Sequence, residues 1–273
     1  MSKQRVGTRG ASSSVLALLA ISAVATVGAQ APARSLDCDD GWRGWLNRSA
    51  RACEVREVTI PATGSLSVDG GQNGGVTVGA WERNEVLVRA LVQAWNGDED
   101  EARATVEQVV VSTDGGIRAE GPDRRGASWS VSYEIFVPRS TDLRLETRNG
   151  GITIAGVRGA LDLAARNGGI KLDAVGGNVR GHTTNGGVDV TLVGDTWDGE
   201  ALDVRTTNGG IRLRIPEEYS ARLETGTVNG GIDIDFPVTV QGRIGRDLNA
   251  TLGDGGPLVT ARTTNGGVRV MRY

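Results

Sequence analysis

The chain has 273 residues, of which 41 are glycine and only 4% are aromatic, and its formal net charge is −3 at pH 7. A nucleic-acid-binding surface needs clustered basic residues, so this charge balance disfavours nucleic acid as a partner. Most of the chain lacks helical periodicity but contains many short runs in which apolar and polar residues alternate. Alternation with a period of two is typical of half-buried strands, so the sequence predicts an all-β fold.

Residues 1–31 have the pattern of a secretory signal peptide. Three basic residues precede an apolar stretch at residues 15–29, which ends in small residues. Roughly fifteen apolar residues are fewer than the ~20 that span a bilayer. We therefore expect an exported protein of the periplasm or cell surface, with no membrane span once the signal is removed. A signal that stays uncleaved and serves as a membrane anchor is the alternative.

Residues 32–57 are expected to form a disulfide-clipped N-terminal segment. Cys38 and Cys53 are the only cysteines, and an even pair in an exported chain favours a disulfide. Closing a loop of this length contributes about 3 kcal/mol in the chain-entropy model. A redox or metal-binding pair is the alternative, but two thiols and the single histidine of the chain make a poor site.

Tryptophan is concentrated in the first half of the chain. Trp42 and Trp45 lie inside the expected disulfide loop, and Trp81, Trp95 and Trp129 follow before residue 130. Exposed indoles can stack on sugars or on another protein, which makes them candidate binding residues. Alternatively, they cover the open N-terminal end of a repeat stack, since terminal repeats need a cap. We favour the cap and expect Trp42 and Trp45 to pack over that edge.

Residues 58–140 are expected to form irregular rungs interrupted by one helix. Near residues 98–108, Asp98 can cap the start of a helix that has Glu101 three residues later. Ala102, Val106 and Val109 then face the core at helical spacing. The pattern predicts a short helical insertion between strands, not a separate domain.

The most informative pattern is an Asn-Gly-Gly phrase followed by Ile or Val, which recurs through residues 141–273. Its six copies begin at Asn149, Asn167, Asn185, Asn208, Asn229 and Asn265, with starts separated by 18, 18, 23, 21 and 36 residues. An earlier copy begins at Asn73. Repetition near 20 residues is typical of units that stack to bury a core. We predict a parallel β-solenoid over residues 58–273, with rungs of roughly 18–23 residues. A sandwich or barrel built from Asn-Gly hairpins is the alternative.

The asparagines of the six copies are predicted to form a structural corner ladder. Threonine stands two residues before the asparagine in five of the six copies, and alternation then points both side chains inward. Buried amides must find partners, so each asparagine is expected to bond to the neighbouring corners. The Asn-Gly pair is expected to supply the positive φ of a tight corner.

Charges on the first strand of each repeat predict the register of the stack. If the repeats stack in sequence order, Arg212 lies between Asp189 and Asp233, and Arg214 lies beside Asp235. Neighbouring strands are about 4.8 Å apart, so opposite charges at these positions attract one another.

No cluster of residues in the sequence indicates catalysis. His182 is the only histidine and stands on a predicted strand. Asp233 and Asp235 share a strand face and resemble a pair that cleaves glycosidic bonds, but alternation places both on the solvated face. The Gly-Gly-x-Gly-x-Asp repeats that bind calcium and the Gly-Lys-Ser or Gly-Lys-Thr of a phosphate-binding loop are absent. We therefore expect no catalytic residues, no cofactor and no metal site.

Several segments resemble the bacterial DUF4097 family, whose members are often labelled adhesins. The resemblance rests on VSYEIFVP (131–138), LRLETRNGGI (143–152), VRG (157–159), TTNGGI (206–211) and GDGGP (253–257). It covers roughly residues 58–273 and implies an exported or envelope-associated β-solenoid, linked in some relatives with envelope-stress systems. The family offers no catalytic residues to carry over.

These patterns favour an exported, non-enzymatic β-solenoid that acts as an envelope-associated interaction, adhesin-like or structural module. Its partner is expected to be a protein or glycan of the cell envelope. The competing hypothesis is a carbohydrate-binding or carbohydrate-active β-helix protein. A binding module would present an uncapped flat face or an exposed aromatic cluster, whereas a concave, charged, aromatic-lined groove would favour the enzyme.

Overall fold

The structure is a computed structural model that describes residues 36–38, 50–123, 127–236, 239–240 and 245–273. Within these ranges it contains 21 strands and one helix. The elements are β1 (Ala50–Pro61), β2 (Ser65–Asp69), β3 (Val76–Trp81), β4 (Glu85–Asn96), α1 (Glu99–Gln108), β5 (Val110–Ser112), β6 (Arg118–Glu120), β7 (Trp129–Pro138), β8 (Asp142–Asn149), β9 (Ile152–Ala155), β10 (Arg158–Asn167), β11 (Ile170–Asp173), β12 (Gly176–Asn185), β13 (Val188–Thr191), β14 (Ala201–Asn208), β15 (Ile211–Ile215), β16 (Ala221–Asn229), β17 (Ile232–Ile234), β18 (Thr239–Val240), β19 (Asp247–Leu252), β20 (Leu258–Asn265) and β21 (Val268–Arg272).

Two large sheets carry nearly all of these strands. The first sheet has the order β1-β4-β7-β3-β9-β11-β13-β15-β21-β17, and the second has the order β18-β19-β16-β20-β14-β12-β10-β8-β2. From β8 to β17 the chain alternates between the two sheets, so each repeat adds one strand to each of them. β5 and β6 form a separate two-stranded ribbon.

Successive repeats pair in parallel and in register, as the repeated phrase predicts. β10 lies between β8 and β12, with Asn167 opposite both Asn149 and Asn185. Aliphatic residues at every second position face the space between the sheets, where Leu163 and Leu172 are fully buried. The inward side chains of both sheets belong to one hydrophobic cluster. The all-β fold and the parallel pairing of the repeats are therefore confirmed.

The two ends of the stack are antiparallel, unlike its centre. In the first sheet, β4 pairs antiparallel with both β1 and β7, and in the second sheet β19 pairs antiparallel with both β16 and β18. β1 begins at Ala50 and so runs across the expected boundary between residues 57 and 58. In the early part of the chain, β2 and β3 therefore belong to the parallel stack, whereas β1 and β4 extend the first sheet in antiparallel pairing.

The predicted helical insertion is confirmed as α1. Asp98 is its N-cap, and the Asp98 carboxylate accepts a hydrogen bond from the Glu101 amide at 2.7 Å. Ala102, Val106 and Val109 are buried, as their spacing indicates.

The last repeat does not stack in sequence order. β20 and β21 lie between the strands of the two preceding repeats, so β21 separates β15 from β17. Arg212 therefore has Asp189 on one side but Arg269 on the other, and the prediction that it lies beside Asp233 is wrong. Arg214 is likewise opposite Met271 and not beside Asp235. The spacing of the repeats in the sequence could not reveal this insertion, because the repeat that begins at Asn229 has the same phrase to stack on the repeat at Asn208 or on the repeat at Asn265.

In most phrases the first position after asparagine needs glycine because of steric contact between stacked corners, and not because of a positive φ. Gly150, Gly168 and Gly186 do not have positive φ, so the expectation for these positions is wrong. A Cβ on any of them would lie closer than 3.0 Å to the backbone of the corner stacked against it. Positive φ is found instead at the opposite corners, for example at Gly156 (+72°) and Gly194 (+77°).

This contact predicts a position-dependent cost of adding one methyl group. Gly168→Ala is expected to lower the free energy of unfolding by about 1–3 kcal/mol, because the Cβ overlaps the Gly150 carbonyl. Gly231→Ala is the matched control, since its Cβ meets nothing within 4 Å. Urea denaturation of both variants measures the difference, and equal losses would contradict the steric account.

Candidate functional site

Seven asparagines form a continuous ladder along one edge of the stack. Six of the seven side-chain amide nitrogens donate to the side-chain oxygen of the neighbouring asparagine, at 2.7–3.1 Å. The order along the stack is Asn73, Asn149, Asn167, Asn185, Asn208, Asn265 and Asn229. The bonds all run in one direction, with the donor always on the side farther from Asn73. The predicted corner ladder thus exists, and it contains one more asparagine than the six regular repeats supply.

The asparagine side chains are exposed, so their expected inward orientation is wrong. The threonines two positions earlier are the inward residues, and each donates its hydroxyl to a first-glycine carbonyl at 2.7–2.8 Å. Asparagine lies where the strand turns into the corner, and the regular alternation of side chains ends there. The corner is held by backbone, threonine and asparagine hydrogen bonds together.

The Asn73 end of the ladder opens into a groove of about 810 Å³. It lies between the corner at residues 70–73 and the loop at the start of β7. We call it the Trp groove; among the described residues it is lined by Gly70, Gly71, Gln72, Asn73, Trp95, Ala119, Glu120, Gly121, Pro122, Asp123, Ala127, Ser128, Trp129 and Val131.

Two tryptophans give the Trp groove its aromatic surface. Trp95 is on the outer face of β4 with 39% of its surface exposed, and its amide bonds to the Ser128 carbonyl at 3.0 Å. Trp129 is half-buried at the start of β7, and its indole N–H donates to the Pro122 carbonyl at 3.1 Å. A Cβ on Gly121 would lie 2.7 Å from the Trp129 indole, so glycine lets the loop lie against the ring. One indole is therefore held in place and the other is presented to solvent.

Asn73 supplies a hydrogen-bond donor to the same groove. Its side-chain oxygen accepts from Asn149 at 3.1 Å, whereas its side-chain amide nitrogen has no partner among the described residues. Because the ladder is unidirectional, this is the one asparagine amide that the ladder leaves free to donate. Chains of hydrogen bonds polarise one another, so a terminal donor is a favourable partner for an incoming oxygen.

The disulfide between Cys38 and Cys53 is present, with a Cα–Cα distance of 5.9 Å. It holds residues 36–38 against the outer face of the first sheet, where the Leu36 amide approaches the Glu134 carboxylate at 3.5 Å. Glu134 is also paired with Arg89, and only 6% of the Glu134 side chain is exposed. Trp42, Trp45 and residues 1–31 lie outside the described residues, so their predicted roles stay predictions. None of the helices that the structure describes is long and apolar enough to cross a bilayer.

The titratable residues that the sequence offered as candidates for catalysis do not lie together in one site. His182 is exposed on the outer face of β12. Asp233 is paired with Arg269 at 3.0 Å, and Asp235 accepts from the Arg272 amide at 3.2 Å. Burial raises the pKa of Tyr133, and the nearby Asp69 charge adds to the effect, so its phenol stays protonated in the core. Within the described ranges, no three metal-binding side chains form a cluster.

The inserted last repeat places arginines side by side on both outer faces. Arg212 is opposite Arg269 in the first sheet, and Arg205 is opposite Arg262 in the second. Carboxylates lie near each of these arginines, with Asp189, Asp233, Asp203 and Glu224 as the partners. Shallow grooves of about 470 and 380 Å³ lie over the two pairs. Both arginine pairs result from the inserted repeat, so the order of the repeats in the sequence does not predict them.

The sequence identified Trp95 and Trp129 only as members of a tryptophan-rich region. It did not place them together with Asn73, because residues 73, 95 and 129 meet through the antiparallel pairing of β4 with β7 and the parallel pairing of β7 with β3. The available signal was the seventh Asn-Gly-Gly phrase at Asn73, which marks where the ladder begins.

The ladder predicts unequal costs for its two polar components. Thr206→Val removes a buried hydroxyl that donates to Gly186 and is expected to cost about 1–3 kcal/mol, because the carbonyl loses its partner inside the protein. Asn208→Ala removes two exposed amide bonds, whose loss water partly compensates, and is expected to cost about 1 kcal/mol or less. Urea denaturation of each variant measures the costs; a larger loss for Asn208→Ala would contradict this ranking.

The family model "Toastrack DUF4097" matches residues 57–271. No protein of curated function matches the chain. The chain is similar to a solved structure described as a putative cell adhesion protein from Clostridium sporogenes, with 7% identity, coverage of 81% of this chain and 100% of that one, and a TM-score of 0.45. It is also similar to a putative adhesin from Bacteroides fragilis, with 10% identity, coverage of 81% of this chain and 97% of that one, and a TM-score of 0.36. A putative lipid binding protein from Parabacteroides distasonis is similar with 9% identity, coverage of 80% of this chain and 96% of that one, and a TM-score of 0.31. From its match to the family model over most of its length, the chain belongs to the DUF4097 family.

Proposed function

We propose that this protein is an exported, non-enzymatic β-solenoid that binds an envelope glycan, or a glycan-bearing protein, in the Trp groove. The role is adhesin-like in that the chain recognises a surface and does not transform it. The observation that carries the proposal is an exposed indole, Trp95, beside a free amide donor, Asn73, in a groove of about 810 Å³.

The chemistry of the Trp groove suits a sugar. The faces of pyranose rings carry C–H groups that pack on indole, while their hydroxyls need donors and acceptors around the rim. Trp95 provides the stacking surface, and Gln72, Asn73 and the Glu120 carboxylate provide the polar contacts. The fixed position of Trp129 limits the reorganisation needed on binding, which favours affinity.

Export is supported by two independent features. The disulfide between Cys38 and Cys53 is of the kind that persists in oxidising compartments. Residues 1–31 have the pattern of a secretory signal peptide. A location in the periplasm or at the cell surface would place the Trp groove among envelope glycans.

The rung architecture supports a scaffold role. Each repeat alternates between the two sheets and pairs in parallel with its neighbours, an arrangement typical of a solenoid with rungs of roughly 18–23 residues. Such a stack is rigid because each corner is hydrogen-bonded to the next along the ladder.

Trp95→Ala is expected to weaken glycan binding about tenfold or more, because truncating an indole at a binding contact costs at least about 1.4 kcal/mol. Calorimetric titration with soluble peptidoglycan fragments and neutral oligosaccharides measures the affinity. Val110→Ala is the matched control, since Val110 is 62% exposed outside the Trp groove. Binding that is unchanged in Trp95→Ala, or equally weakened in both variants, would overturn the groove as the binding site.

A carbohydrate-active enzyme is the second candidate, because the carboxylates of Glu120 and Asp123 both line the Trp groove. Paired carboxylates flanking a sugar can serve as acid and base in glycoside hydrolysis. Release of new reducing ends from the same oligosaccharides, lost in Glu120→Gln and in Asp123→Asn, would favour this candidate. Binding without turnover would favour the non-enzymatic module.

A further inference from the structure

Every copy of the repeated phrase contains an Asn-Gly bond, which is chemically labile. The glycine amide nitrogen can attack the asparagine side-chain carbonyl carbon, closing a five-membered succinimide and expelling ammonia. Water then opens the ring to aspartate or isoaspartate. Glycine favours the attack because no Cβ obstructs the approach. The reaction needs a glycine nitrogen that is free and an asparagine side chain that can turn onto it.

In six of the seven phrases the glycine nitrogen is already engaged. Its N–H donates to the backbone carbonyl of the next asparagine along the stack at 2.9–3.2 Å. The six glycines are Gly74, Gly150, Gly168, Gly186, Gly209 and Gly266. Attack would require breaking this bond and moving the corner away from the corner that is stacked on it. The ladder therefore protects the bonds that build it.

The seventh phrase, Asn229-Gly230, ends the stack and lacks this protection. All the glycine amides donate in the same direction along the stack, and no asparagine corner follows Asn229 in that direction. The Gly230 amide has no hydrogen-bond partner among the residues that the structure describes. Asn229 is exposed, and its side chain is held by one bond, from its amide nitrogen to the Asn265 oxygen at 2.8 Å.

We propose that Asn229 is a specific spontaneous modification site, where the chain converts to aspartate or isoaspartate with release of ammonia. The two ends of the ladder differ because the bonds have a direction. Asn73 stands at the other end, yet its Gly74 amide is bonded to the Asn149 carbonyl at 3.2 Å. Only water is consumed, so the reaction needs no partner or cofactor.

The modification acts on the terminal strand. A carboxylate at residue 229 has no hydrogen to donate to Asn265, and isoaspartate adds a methylene to the backbone of the corner. β17, which follows directly, is short, and among the described strands it pairs only with β21. The corner that leads into β17 is therefore loosened, while the interior repeats keep their ladder bonds.

Ageing of the purified full chain at mildly alkaline pH, followed by peptide mapping with mass spectrometry and isoaspartate detection, tests the proposal. Asn229 is expected to deamidate about tenfold or more faster than any other asparagine of the ladder, because only its glycine amide lacks a protecting hydrogen bond. Equal rates, or a faster reaction at an interior asparagine, would overturn the proposal. The deamidation rate of Asn96-Gly97, which lies outside the ladder, is measured but not included in this comparison.

The same ageing in concentrated urea separates protection by the fold from local sequence. The seven rates are expected to converge when the chain is unfolded, since the phrases are nearly identical; persistent selectivity for Asn229 would show that the ladder is not the cause. Asn229→Asp reproduces one product, and hydrogen exchange is expected to be faster at β17 but unchanged at β11. Unchanged exchange at β17 would refute the loosening of the terminal strand. Glycan binding at the distant Trp groove is not involved in either measurement.

Discussion

The close stacking of the Asn-Gly-Gly corners is the constraint on which the rest of the structure depends. Parallel strands can lie in register only if each corner repeats the path of its neighbour, and the first glycine allows this by carrying no Cβ where the next backbone passes. Once the corners coincide, threonine hydroxyls reach glycine carbonyls, asparagine amides align, and the aliphatic residues of every rung meet in one core. The hydrophobic layer is generic; the corner contact selects the parallel arrangement and its register.

Because every corner is nearly the same, the stack does not require sequence order. The last repeat enters between two earlier ones, with Asn265 bonded to both Asn208 and Asn229. This insertion brings Arg212 beside Arg269 and Arg205 beside Arg262. Like charges on neighbouring strands repel, and nearby carboxylates offset the repulsion on both faces. The repulsion between exposed charges contributes little free energy, and the buried strand pairing of the inserted repeat outweighs it.

A directional ladder gives the stack two chemically different ends. At the Asn73 end, a free amide donor meets a groove lined by Trp95 and Trp129. At the Asn229 end, the glycine amide finds no further corner, and the labile bond is uncovered. The proposed binding groove and the proposed modification site therefore both lie where the repetition stops.

Alternation and the repeated phrase predicted the all-β class, the parallel pairing and the existence of an asparagine ladder. The capping pattern at Asp98 predicted the helix α1, and the even pair of cysteines in an exported chain predicted the disulfide. These features follow from rules of period, spacing, capping and cysteine count that apply directly to the order of residues. Only the tertiary structure decided that the last repeat is inserted, that β1, β4 and β7 are antiparallel, and that Trp95, Trp129 and Asn73 share a groove. The asparagines face solvent for the same kind of reason, since strand alternation ends where the corner begins. Each of these features depends on which of several possible neighbours a strand pairs with. The repeat strands have nearly the same sequence, so the sequence of one strand does not specify its neighbour.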